Sequence, residues 1–436
     1  ATKAAPATKA AAATKAPTQT KAPTQTKAPT QTKAPTSNDR DGAPDPPVPS
    51  QGRRSPQGNT DAVLSWVASQ APVWFPGPAG GGASLRLIEV RERPRCRLFT
   101  IEVRGRGTGK TVLVKQRRAD PTQRRGDPFA ARPNLGPPRS DDDAWMARVE
   151  HDGLVLIRDA FGKVTDGRFG VIQPHGFHEG LGAIAMQPES QQTLRDVTLN
   201  AARQSTEHWQ FPPTLPWRNA GSWLRRYHSL EPGHEVPVCR GSRDDIIELL
   251  RRYGEFLSGR TGRRDQVIRF VDKVCESAET VLPDRLPLGL SHGDFVAQNM
   301  FVSGAGAVTV IDPMPYWRAP IYEDLGRLLV GARMFEPRSA RPDHLSQRPQ
   351  ARLNECALLA GYFGDGSASV PAMRVFLALC TLDRWAGSVS KQPLTPVRRR
   401  LRRPRLAAVN RQYRREQDAQ MDMLLPSDRH WVTTWA

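Results

Sequence analysis

Apolar and polar positions alternate with a period of two in two neighbouring runs, Leu98 to Val103 (LFTIEV) and Thr111 to Lys115 (TVLVK), which a Gly-rich connection separates. Runs of that period rich in β-branched residues and punctuated by glycine predict a β-hairpin whose second strand ends near Lys115. The period then changes. From Asp141 the chain reads DDDAWMARVEHDGLVLIRDAFG, with Trp145, Val149, Leu156 and Ala160 at roughly helical intervals behind an acidic start. That pattern predicts a helix with Glu150 in its middle, weakened at Gly153 by ~1 kcal/mol relative to Ala. Further strand-like runs follow within 181–190 (LGAIAMQPES) and at Ala307 to Ile311 (AVTVI), with helical stretches between them.

The pattern fails at the N-terminal end. Residues 14–36 repeat Thr-Lys-Ala-Pro-Thr-Gln with a six-residue period, and a Pro/Ser/Gly/Asp stretch continues to about Gly58. With no aromatic and almost no large apolar side chain, this composition cannot bury enough surface to offset chain entropy, so residues 1–60 are expected to be disordered. The lysines recur singly, which suits a solvated spacer better than an anion-binding tail.

Charge follows the same division. Of the formal +19 on 436 residues, residues 1–58 carry +6 and residues 391–415 carry +10, leaving +3 for the rest. The run RRRLRRPRLAAVNRQYRR from Arg398 to Arg415 could rest on anionic lipid or nucleic acid, or simply be a solvated, partly helical tail broken at Pro404. Cys96, Cys239, Cys275, Cys356 and Cys380 are odd in number and widely spaced, which fits a reducing compartment and no structural zinc. No apolar run approaches the ~18–20 residues a membrane span needs, so a cytoplasmic location is expected; the first residue is Ala1, which limits any reading of targeting signals.

Two lysines lie near phosphate-like chemistry. Gly109-Lys110-Thr111 fails as a P-loop, because no glycine stands at the required distance before it and a β-branched run rather than a helix follows. Lys110 is expected in a turn. Lys115, at a strand end, needs a carboxylate to orient its ammonium, and Glu150 on the following helix can supply one. Downstream, Asp294 lies in His292-Gly293-Asp294, Asn299 follows after five residues, and Asp312 ends the strand-like run AVTVI thirteen residues later. Phosphoryl transfer needs a carboxylate for the acceptor hydroxyl and hard oxygen ligands for Mg²⁺, and an Asp and an Asn five apart on a loop, with a second Asp on an adjacent strand, can provide both.

His292-Gly293-Asp294-Phe295-Val296-Ala297-Gln298-Asn299, Ile311-Asp312 and Tyr322-Glu323-Asp324-Leu325 together resemble the aminoglycoside phosphotransferase and choline kinase-like family of small-molecule kinases, over about 85–390 and most strongly 286–330. The resemblance implies an α+β, protein-kinase-like bilobal fold with a small β-rich N-lobe (61–187), a larger mainly helical C-lobe (188–390) and a basic tail (391–436). It further implies Asp294 as catalytic aspartate, Asn299 and Asp312 as Mg²⁺ ligands, and Lys115 with Glu150 as the phosphate-contacting pair. The backbone of Met186, Gln187 and Pro188 would be the hinge receiving the base of ATP or GTP, His292 and Asp324 would support the loop, and Trp223, Leu224 and His228 would be core residues of AGSWLRRYHSL. The acceptor would be a small hydroxylated molecule, such as a sugar, an amino alcohol or an aminoglycoside.

Some features depart from the pattern. The connection EVRERPRC (89–96) has no glycine, whereas the Gly-rich PGPAGGGA (76–83) precedes the first strand, and EPRSARPDHLSQRPQ (336–350) reads as a loop able to shape the acceptor pocket. Protein-kinase activity is disfavoured, because Asp312-Pro313-Met314 stands in place of Asp-Phe-Gly and no Ala-Pro-Glu follows. The lower lobe has only scattered acids such as Asp244, Asp245 and Glu248, which favours a neutral acceptor over a polycationic one. The competing reading is an inactive kinase-like scaffold that binds nucleic acid or membrane through its basic tails.

Overall fold

A computed structural model describes residues 56–76, 84–105, 109–118, 132–136, 140, 142–201, 211–334, 348–364, 370–390 and 410–420 without 412 and 414. The repeat tail up to residue 55, the Gly-rich 77–83, residues 336–347 of the polar segment and most of the Arg-rich run lie outside them.

The N-lobe is built on one antiparallel sheet of β1 (Ser84–Arg93), β2 (Cys96–Arg104), β3 (Gly109–Arg117), β4 (Pro174–His178) and β5 (Ala183–Met186), in the order β1-β2-β3-β5-β4. The β2–β3 register sets Leu98 opposite Lys115 and Arg104 opposite Gly109, so the hairpin runs further than its apolar pattern. Lys110 is therefore a strand residue opposite Val103 and exposed, because the second strand begins at Gly109, two residues before the expected Thr111.

Strand alternation sorts the two faces. Phe99, Ile101, Val103, Val112 and Val114 are buried on one side against Val63, Trp66, Val67 and Ala71 of α1 (Pro56–Trp74), a helix that starts inside the segment expected to lack structure. Asn59 and Gln116 exchange side-chain hydrogen bonds at 2.9 and 3.0 Å, tying α1 to the strand next to Lys115. The opposite face receives α2 (Asp143–Phe161), where Ala147 and Leu154 join Ile184 and Met186 in a buried cluster. Asp142 caps α2 by accepting hydrogen bonds from the backbone N–H groups of Ala144 and Trp145.

The C-lobe contains α3 (Leu194–Ala201), α4 (Leu215–His228), α5 (Arg243–Thr261), α6 (Arg264–Val281), α7 (Tyr322–Arg333), α8 (Arg348–Phe363) and α9 (Val370–Ser390). Two small sheets carry the chain past their ends: β6 (Gln192–Thr193) with β8 (Met300–Val302) and β9 (Val308–Val310), and β7 (Leu288–Leu290) with β10 (Arg318–Pro320). Trp223 of α4 stacks on Phe161 and Tyr227 at 5.0 Å and on Phe295 at 5.8 Å, so one aromatic column joins the end of α2 to the loop after β7. Each such ring buries on the order of 150–250 Å². Helix α9 is apolar around much of its circumference and correspondingly sits inside the lobe, with Phe376, Leu379 and Trp385 buried.

Within the segment expected as a tail (391–436), the described residues between 410 and 420 pack on this core. Tyr413 is buried and stacks on Trp385 at 5.9 Å, and Glu416 accepts from Arg333 at 2.8 Å. Among the described residues no helix is long and apolar enough to cross a membrane, and all five cysteines are unpaired.

Candidate active site

Lys115 Nζ donates to Glu150 Oε1 at 2.7 Å and to Asp312 Oδ1 at 2.8 Å. Three elements converge here: β3 presents the lysine on the face opposite α1, α2 presents the glutamate, and the chain leaving β9 presents the aspartate. Glu150 is fully buried, although a mid-helix Glu is ordinarily solvated. Burial alone would push the Lys115 ammonium down; the carboxylates of Asp312 and Glu150 outweigh it and hold its pKa above the usual lysine range. For Asp312 burial pushes up, Lys115 pulls down, and the net direction is down. Both groups are thus charged at neutral pH.

A second cation, absent from the sequence reading, shares the glutamate. Arg117 Nε donates to Glu150 Oε2 at 3.1 Å, its Nη2 binds the same oxygen, and Nη2 also reaches Met314 Sδ at 3.6 Å. The available signal was Lys115-Gln116-Arg117, since residues two apart on a strand share a face. Helix α2 is seated closely against the same loop. A Cβ on Gly153 would lie 2.8 Å from Pro315 Cδ and 2.9 Å from Pro313 Cγ, so only glycine lets the segment after Asp312 approach. The helix-weakening residue is the one that permits this packing.

The loop after β7 is held from behind by Asp324, in the first turn of α7. Buried Asp324 accepts from the backbone N–H of His292 at 2.7 Å and of Gly293 at 3.1 Å, and its Oδ2 lies 3.2 Å from His228 Nε2. Burial would raise its pKa, but the hydrogen bond and charge of His228 and the His292 N–H outweigh that and bring it down to about 2. Gly293 has φ 78°, and a Cβ there would stand 2.2 Å from the Trp317 ring, so backbone and space both require glycine. The His292 ring is caged by Trp223, Tyr227 and Phe295 at 5.6–5.9 Å, and burial lowers its pKa against the pull of Asp324, Asp294 and Asp312. Neither ring nitrogen makes a well-formed hydrogen bond among the described residues, so His292 packs beneath the loop.

Asp294 is exposed at the tip of the loop, and Asn299 Nδ2 donates to its backbone oxygen at 3.0 Å and to Oδ2 at 3.1 Å. The β8–β9 hairpin brings Asn299 and Asp312 to one end of its ladder, where the Ile311 N–H donates to the Asn299 carbonyl at 3.0 Å. Asp312 has φ 60°, a left-handed conformation that Asp tolerates better than most residues. Among the described residues no three His, Cys, Asp or Glu side chains form a metal cage. What the hairpin brings to that end is one carboxylate side chain, Asp312, and one amide side chain, Asn299. Met186 ends β5 in the same apolar cluster as Leu113 and Ile311, and Gln187, whose N–H donates to Gln173 O at 2.9 Å, and Pro188 lead on from it towards β6.

Residues 210–353 match the model of the phosphotransferase enzyme family. The matched stretch contains Asp294, Asn299, Asp312 and Asp324. A choline kinase from Cryptosporidium parvum superposes with TM-score 0.50 at 10% identity, covering 86% of this chain and 99% of that one. The fold is the protein-kinase-like, bilobal one, with an antiparallel N-lobe and a mainly helical C-lobe. A choline kinase from Streptococcus pneumoniae (TM-score 0.43, 12% identity, 83% and 99% covered) and a glucosamine kinase solved with glucosamine, ADP and inorganic phosphate (0.42, 14%, 83% and 99%) are also similar. No curated protein sequence matches the chain.

Proposed function

We propose that the protein is an ATP- or GTP- and Mg²⁺-dependent phosphotransferase that moves the γ-phosphoryl group to a hydroxyl of a small molecule. The observation that carries this reading is the meeting of Lys115, Glu150 and Asp312, from three separate elements, beside a loop whose exposed aspartate is held by Asn299. The phosphotransferase-family match over 210–353 supports the same chemistry.

In this reading Lys115, fixed by Glu150, contacts the nucleotide phosphates, and the apolar patch of Leu113, Met186 and Ile311 lies against the base, whose polar edge meets the backbone at 186–188. The donor set suits Mg²⁺, which takes one or two protein oxygens and completes its shell from phosphates and water; Asp312 and Asn299 would hold it. When bound, the metal would neutralise charge on the phosphates. Asp294 orients the acceptor hydroxyl and takes its proton as the acceptor oxygen bonds to the γ-phosphorus and the nucleoside diphosphate oxygen leaves. The exposure of Asp294 leaves room for an acceptor, and the scattered distribution of lower-lobe acids favours a neutral sugar or metabolite over a polycation. Turnover across a panel of sugars and amino alcohols tests the reading: Asp294→Asn should lower transfer by about 10²–10⁴-fold while nucleotide binding persists. Transfer unaffected by that change would remove Asp294 from the chemistry.

A further inference from the structure

A cleft of about 580 Å³ opens on the C-lobe between α4, the C-terminal end of α8 and the connection around 164–169, and none of the phosphotransfer residues lines it. Four arginines do, Arg168, Arg218, Arg225 and Arg226, against one carboxylate, Asp166. That carboxylate is already engaged, with Arg168 Nε donating to its Oδ2 at 2.7 Å. Arg226 Nη2 donates to the Ala160 carbonyl at 2.7 Å. Arg218 and Arg225 have no carboxylate partner among the described residues.

The imbalance is local. Outside its two basic ends the chain is nearly neutral, at +3, so four guanidiniums to one carboxylate in one cleft is a concentration rather than the average of the surface. At the end of α8, Gly361 O accepts from Ser222 Oγ at 3.1 Å and Ala360 O from the Gly364 N–H at 2.9 Å.

We propose that this cleft is a binding site for a small ligand bearing two or more phosphate groups, separate from the phosphotransfer site. Guanidinium forks match phosphate oxygens in pairs, and the cavity has the size of a small-molecule site. Its arginines lie together in one cleft, whereas a nucleic-acid backbone is followed by an extended basic track. The proposal stands apart from the phosphotransferase reading, since it uses none of the same residues.

Inorganic tripolyphosphate is a suitable probe, titrated calorimetrically in EDTA at constant ionic strength against the full chain and against Arg218→Ser/Arg225→Ser. Both arginines are exposed, and an unchanged melting temperature of the ligand-free variant checks that it folds. Loss of two charge-assisted contacts should weaken binding by at least about ten-fold, while stabilisation by ATP with Mg²⁺ is unchanged. Equal affinity in the two proteins, which would put the anion on the basic ends or the phosphotransfer site, overturns the proposal. So does a wild type that releases no more heat with tripolyphosphate than with sodium chloride.

Discussion

Glu150 accepts two cations, Lys115 on one oxygen and Arg117 on the other, and is fully shielded from water. Without Arg117, Lys115 alone would have to balance two carboxylates, Glu150 and Asp312, so Arg117→Met should destabilise the fold by about 3 kcal/mol in urea titrations. Arg117→Lys should recover only part of this, because a point charge cannot span Glu150 and Met314 as a fork does. Equal stability of all three proteins would show that Arg117 adds nothing to the pair. Asp324 gives a prediction in pH. Its folded pKa, about 2, lies below the ordinary 3.8, so its contribution is fully present above about pH 4 and is lost as pH falls towards 2. Wild type should therefore lose about 2 kcal/mol more than Asp324→Asn over that window. Parallel acid-denaturation curves would contradict the assignment. Residues of the His292–Asp294, Asn299 and Asp312 segments were legible because their spacing is local. Arg117 and the sharing of Glu150 were not, because they depend on which strand face meets α2, a tertiary fact.

Helix α1 shows the same limit among elements. Val63, Trp66, Val67 and Ala71 follow a helical period that the chain displays openly, yet the neighbouring Thr/Lys/Ala/Pro repeat has none, and the boundary between them was set too late. The helix packs against one face of the N-lobe sheet and is pinned beside Lys115 through Asn59 and Gln116. Trp66→Ala should accordingly cost about 3–5 kcal/mol in chemical denaturation, the range for emptying a buried aromatic site. A cost below about 1 kcal/mol would mean that α1 is a loosely held addition. The β2–β3 hairpin and α2 were readable from alternation and capping. The seating of Gly153 on Pro313 and Pro315 was not, since no local pattern states which distant segment a helix will meet.

At the scale of the molecule, the bilobal fold was legible from a few motifs in a fixed order, whereas the packing of Tyr413 on Trp385 was hidden within a run whose dominant feature is its arginines. In the proposed function Lys115, Glu150, Asp312 and Asn299 form a site for a nucleotide and Mg²⁺. The most direct test is thermal unfolding with ATP, with and without Mg²⁺, on wild type and on Asp312→Asn, which keeps the size and left-handed tolerance of the aspartate. A ligand at 100 times its dissociation constant adds ~2.7 kcal/mol to a folded state it alone binds. Wild type should show a raised midpoint, and the variant should lose the Mg²⁺-dependent part of that shift. A wild type that neither nucleotide nor metal stabilises would contradict that function.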